Sequence, residues 1–244
     1  MHKLAVSVEK KVYSGRPFVH ALGESSFEVN SGEFISILGP SGCGKSTLLK
    51  IISGLDREFE GKIALNGIDV AGPSSGCGVV FQEARLLPWK TVRENIAFGL
   101  NSINSPDSIS NVNELLESFS LLNFAESFPS QLSGGMSQKT ALARALISGP
   151  EVILLDEPLA SVDRITRAKL GQEILQELKK RKATALMVTH DIEEAVQLSD
   201  RILVMSPSPG KIVKEFRLEM PQPRKRTSKE FIKTVYGILK CMEG

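Results

Sequence analysis

The chain has 244 residues, 41% hydrophobic and 24% charged, which is enough apolar material for one large α/β domain or two small ones and excludes a chain disordered throughout. Its 30 basic and 28 acidic residues leave a net charge of +2, so there is no electrostatic ground for a nucleic-acid partner. Cys43, Cys77 and Cys241 are few, odd in number and far apart, which argues against a disulfide framework or a zinc site and for a reducing cytosol.

The opening "MHKLAVSVEKK" has no apolar stretch of signal-peptide length, and no window approaches the roughly 18 apolar residues a membrane span needs. If the protein works at a membrane, other chains must do the spanning. "KLAVSVEKKVY" reads as a strand, and "SSFEVNSGEFISIL" as two strands around a turn at 30–32. "KSTLLKIISGL" has helical apolar spacing and stops at Gly54. "GKIALNGIDV" is a hairpin turning at Asn66 and Gly67, and "CGVVFQ" is a short apolar strand.

From about residue 85 to 131 the texture becomes helical. "TVRENIAFGL" and "NVNELLESFSLL" read as helices joined by the polar segment "NSINSPDSISN". "GGMSQKTALARALIS" is a further helix, and "EVILLD" is continuous rather than alternating, as expected in a parallel sheet. A helix over 164–182, the strand "ATALMVTH", the short helix "DIEEAVQLS", a hairpin "RILVM"/"KIVKEF" around "SPSPG" and an amphipathic helix "TSKEFIKTVYGILK" complete the chain. The expected fold is α/β: a core with a β subdomain over 1–84 and 132–220, a helical insertion over 85–131, and a tail helix over 221–244, with the early antiparallel strands making the sheet mixed on one side.

"GPSGCGKST" (39–47) follows the strand "FISIL" and matches G-x-x-x-x-G-K-[ST] through Gly39, Gly44, Lys45 and Ser46. The glycines let the backbone curl so that its N–H groups point at phosphates, and the following helix adds the positive end of its dipole. Ser41, Gly42, Cys43 and Thr47 belong to the same phosphate-binding loop. Lys45 offers a point charge to the β and γ phosphates, and Ser46 a hydroxyl to Mg²⁺. Cys43 reads either as a small side chain that fits or as a thiol activated by the helix end. Asp156 and Glu157 close the strand "VILLD"; adjacent carboxylates at such a strand end need a cation or water chemistry. Asp156 is assigned to Mg²⁺ and Glu157 to polarising the attacking water.

"LSGGMSQ" (132–138) precedes that strand. With it the chain resembles the nucleotide-binding subunits of ABC transporters, along nearly its whole length and with the motifs in order. The phosphate loop is followed by Phe81 and Gln82 (Q-loop), the signature, "ILLDEP", "SVD" at 161–163 (D-loop) and "VTHD" with His190 as the switch histidine. The resemblance implies a P-loop ATPase core, adenine stacked on Tyr13 (Phe18 being the rival aromatic), Gln82 at Mg²⁺ or the water, and His190 at the γ phosphate. It also implies a head-to-tail pair in which Ser133, Gly134, Gly135 and Gln138 of one signature, with Asp163, meet the nucleotide held by the partner. The signature departs from many relatives at Ser137, where they carry Arg, while Lys139 lies two positions on.

"ARLLPWKTVRENI" (84–96) resembles the importer subfamily for nitrate, sulfonates, taurine and thiamine-precursor pyrimidines. This implies separate membrane-spanning permease subunits, a substrate-binding protein outside the membrane, and a peripheral place on its cytoplasmic face. Trp89 is read as an interface anchor. Leu86 and Leu87 either join it or pack the insertion. A non-transport ABC ATPase and an exporter subunit are the rival classes; neither paired cassettes nor long coiled coils occur here. "PRKR" (223–226) is read as a solvated linker or a contact to anionic lipid.

Overall fold

The runs Phe34–Leu38 (β4), Thr184–Thr189 (β9) and Arg201–Met205 (β10) are buried at every position, so both faces of each must be covered. A computed structural model describing residues 2–14, 18–100, 105–160 and 162–243 shows how. These strands lie in a six-stranded sheet of order β11-β10-β4-β9-β8-β7. Here β7 is Cys77–Val80, β8 Val152–Asp156 and β11 Ile212–Arg217. All pairs are parallel except β10 with β11. Alternate residues serve two cores: Ile153 and Leu155 of β8 with Ala185 and Met187 of β9 face one, while Val152 and Leu154 with Leu186 and Val188 face the other.

The second core is roofed by a separate five-stranded antiparallel sheet. It comprises β1 (His2–Tyr13), β2 (Val19–Leu22), β3 (Ser25–Asn30), β5 (Glu60–Leu65) and β6 (Ile68–Asp69), with β1 paired to β2, β3 and β5. The early strands therefore form a sheet of their own rather than one side of a mixed sheet. The turn at 30–32 does not close a hairpin: it passes the chain from β3 in one sheet to β4 in the other. Each strand needs its own apolar layer, and alternation within β3 against continuous burial of β4 is the local trace of that difference. The hairpin β5–β6 does turn at Asn66 (φ 51) and Gly67 (φ 78).

Helix α1 (Lys45–Ile52) lies in the second core. The first is packed by α2 (Val92–Ala97), α3 (Pro106–Ser118), α4 (Gly134–Leu146) and α5 (Arg164–Lys180). Helix α3 starts earlier than its apolar periodicity indicates. Ser105 accepts the Ser108 N–H and Pro106 takes the first turn, so the polar "PDSISN" is helix rather than connection; 101–104 lie outside the described residues.

A third core joins β10 to α6 (Ile192–Leu198) and α7 (Lys229–Glu243). The basic run ahead of α7 is not a solvated linker. Arg224 is 7% exposed and donates to the carbonyls of Val196 and Ser199 at the end of α6 and of Leu218 and Met220. A cation suits carbonyls left over at a helix C-terminus. Arg226 bonds Glu193 and Gln197 of the same helix. Among the described residues no helix is long and apolar enough to cross a membrane.

Candidate active site

Parallel strands deliver their carboxyl ends to one edge, and there the sheet gathers the chemistry. The loop 39–47 leaves the end of β4. Gly44 holds φ 103, and a Cβ there would lie 2.8 Å from the Ala21 carbonyl oxygen and 2.7 Å from Leu22, so only glycine fits. No acidic residue lies in the first turn of α1, which leaves the positive helix end uncompensated for an anion. Ser41, Gly42, Gly44, Lys45, Ser46 and Thr47 line a cleft of about 290 Å³, with Tyr13 and Glu157 on its walls. Val19 and Ala21 line it too, and no sequence motif marked them. A larger cleft of about 600 Å³, beside Met220 and Arg224, contains none of these residues.

Lys45 is 5% exposed, its ammonium donating to the carbonyls of Gly39 (2.8 Å) and Pro40 (3.0 Å). Cys43 points away from the cleft. It is 1% exposed, burial raises its pKa, and its Sγ would meet a Cβ on Gly39 at 2.7 Å. Of its two readings, the small side chain that fits is the one its surroundings support.

Asp156 ends β8 and accepts the Ser46 hydroxyl at 2.9 Å. Burial, then the neighbouring Glu157 charge, raises the Asp156 pKa despite that hydrogen bond. A carboxylate under such strain, beside a hydroxyl, offers the hard oxygen donors that Mg²⁺ takes. No cluster of three or more His, Cys, Asp or Glu able to hold a metal occurs among the described residues. A magnesium ion completing its shell with phosphate and water needs none.

Glu157 adopts φ 44, a left-handed backbone that costs energy for a residue with a Cβ. Its N–H donates to the Val188 carbonyl (2.9 Å), which hooks the end of β8 onto β9. The side chain then meets His190, just past β9, with Oε2 and Nδ1 3.0 Å apart. Gln82 is exposed one residue beyond Phe81, and it does not line the cleft.

The signature stands apart. Ser133 caps α4 by accepting the Met136 N–H, and Ser133 and Gly134 are exposed. None of Ser133, Gly134 or Gly135 lines the cleft of its own chain. Gln138 is 2% exposed and donates to the Phe81 carbonyl (3.0 Å), tying α4 to the segment that carries Gln82. Asp163 accepts the Thr166 N–H at the start of α5, a capping bond; Ser161 lies outside the described residues. Lys139 is drawn inward to Glu173 (2.7 Å) and the Phe119 carbonyl.

A family profile described as ABC transporter matches residues 22–160. The chain belongs to the ABC transporter family. It is 48% identical over 213 residues to an aliphatic sulfonates import ATP-binding protein SsuB of Bacillus cereus, covering 87% of this chain and 84% of that protein. To SsuB of Bacillus licheniformis it is 43% identical over 242 residues, covering 98% and 94%. A dimeric post-hydrolysis structure of the ATP-binding cassette MJ0796 bound to ADP and Pi aligns with TM-score 0.77 and 32% identity over 89% of this chain and 100% of that one. This ABC transporter subunit binds and hydrolyses ATP.

Proposed function

We propose that this subunit powers import of a small solute of the aliphatic-sulfonate class, working as a pair of identical copies on permease subunits at the cytoplasmic face of a membrane. The observation that carries the reading is the 48% identity to SsuB across 87% of the chain. ATP lies with its base against Tyr13 and its phosphates on the loop, where the Lys45 ammonium exchanges carbonyl partners for the β and γ phosphates. Ser46 and Asp156 would hold a Mg²⁺ that supplies charge neutralisation at those phosphates. Glu157 takes the proton of the attacking water as general base, and His190 holds both the carboxylate and the γ phosphate in register.

The exposed helix end at Ser133 and Gly134 closes on the ATP of a second copy, which explains why it faces away from its own cleft. The dimeric MJ0796 cassette supports the pairing of two copies. Trp89 is 70% exposed beside α2 and serves as the anchor for the permease, whereas Leu86 packs on the core beneath. The test is reconstitution of the chain with a candidate sulfonate permease and its substrate-binding protein. An alkane sulfonate on the binding-protein side should stimulate ATP hydrolysis; stimulation by some other solute class instead would overturn the assignment of cargo.

A further inference from the structure

Lys11 is a charged side chain 1% exposed. Burying a cation opposes folding unless every donor is used, and here all three directions are taken. Nζ donates to Asp56 Oδ1 (2.7 Å) and to the Glu58 carbonyl (2.6 Å), and it sits 4.5 Å from the centre of the Tyr13 ring. Asp56 shares its other oxygen with the Tyr13 hydroxyl at 3.1 Å and takes the Glu58 N–H at 3.1 Å. Burial works against the Asp56 charge, yet the bonds from Lys11, Glu58 and Tyr13 hold its pKa below the usual carboxylate range.

The pair joins two elements that bear on the nucleotide. Lys11 lies on β1 at an irregularity in its pairing with β2, two residues before Tyr13. Asp56 closes off α1, its N–H donating to the Lys50 carbonyl (3.1 Å), so it is fixed to the helix whose first turn carries Lys45 and Ser46. The ammonium lies over the tyrosine ring, and the same ring lines the cleft.

We propose that Lys11 and Asp56 are positioning residues for nucleotide binding: they clamp the Tyr13 ring at a set distance from the phosphate loop, so that base and phosphates are gripped together. The inference rests on the reading that Tyr13 takes the base. Apolar residues of like volume in place of such a pair often leave stability unchanged, which makes stability alone a poor reason for the pair.

The test compares Lys11→Met, Asp56→Asn and Tyr13→Ala in the full chain, alone and combined. It measures KM for ATP, kcat, and the inhibition constant of tripolyphosphate, which has no base. Lys11→Met and Asp56→Asn should each raise KM for ATP by up to about tenfold, in the range of one lost base stack, while kcat and tripolyphosphate binding stay put. In a Tyr13→Ala background Lys11→Met should add nothing. A Lys11→Met or Asp56→Asn enzyme with wild-type KM, or an equal loss with and without Tyr13, overturns the clamp while leaving the base assignment standing. A Tyr13→Ala enzyme with wild-type KM removes the base assignment and the clamp with it. If Lys11→Met does not fold, the more exposed Asp56→Asn decides.

Discussion

His190 Nδ1 lies 3.0 Å from Glu157 Oε2, although 33 residues separate them in the chain. Two neighbouring parallel strands end side by side, and a left-handed turn at Glu157 swings its carboxylate across to the histidine. A carboxylate so held is oriented before substrate arrives, which is what a general base requires. Glu157→Gln preserves size and a hydrogen bond to His190 but cannot accept the proton. It should bind ATP normally, hydrolyse it about 10²–10⁴-fold more slowly, and accumulate as an ATP-bound dimer on a sizing column. Turnover near wild type would remove Glu157 from the role.

The separation of the signature from its own cleft leads to a mixing experiment. Ser133→Arg blocks the capping end of α4 and spares the phosphate loop; Lys45→Ala does the reverse. Each alone should be inactive. A heterodimer of the two contains one intact site and one doubly damaged site, so the mixture should recover ATPase activity. Absence of any recovery would count against sites shared between copies.

Trp89 is 70% exposed, so its side chain contributes little to the core. Trp89→Ala should melt like the wild type and hydrolyse ATP as an isolated subunit, yet fail to co-purify with the permease, since removing an interfacial aromatic anchor costs about 2 kcal/mol or more. A lowered melting midpoint with parallel loss of ATPase would place the tryptophan in the core instead.

Glu194 is 6% exposed, accepts the Thr189 hydroxyl at 2.7 Å, and has its pKa raised to about 7 by burial. In the unfolded chain it titrates near the ordinary glutamate value, about 4.3. Between those values the folded state holds a proton that the unfolded state has released, so this group's contribution to stability falls as pH rises through the window and is flat above it. The loss is on the order of 3 kcal/mol. Urea unfolding of wild type and Glu194→Gln should agree near pH 4.5 and diverge by pH 8, the variant being the more stable. Parallel curves across that range would refute the titration.

The linear chain by itself determined the phosphate grip and the order of the parts. A glycine loop between a continuous apolar strand and an amphipathic helix acts through its own backbone, and Gly39, Gly44, Lys45 and Ser46 lie within eight consecutive residues. The same locality made the Asn66 and Gly67 turn and the buried β8 readable, because φ preferences and apolar continuity are properties of neighbours. Tertiary structure alone decided what depends on residues far apart in sequence. The transfer from β3 to β4 between two sheets could not be read from a turn that would also suit a hairpin, since the partner strands lie elsewhere in the chain. Arg224 read as solvent-exposed because nothing near it announces the carbonyls of Val196 and Ser199 that it satisfies. Gln138 sits within a motif, yet only the fold shows that it is buried with its amide on the Phe81 carbonyl. Lys11 and Asp56 look like ordinary surface charges until the fold closes 45 residues between them and encloses the pair beside Tyr13. A side chain's type is local, but whether water, a carbonyl or a ring surrounds it is decided only when distant segments pack.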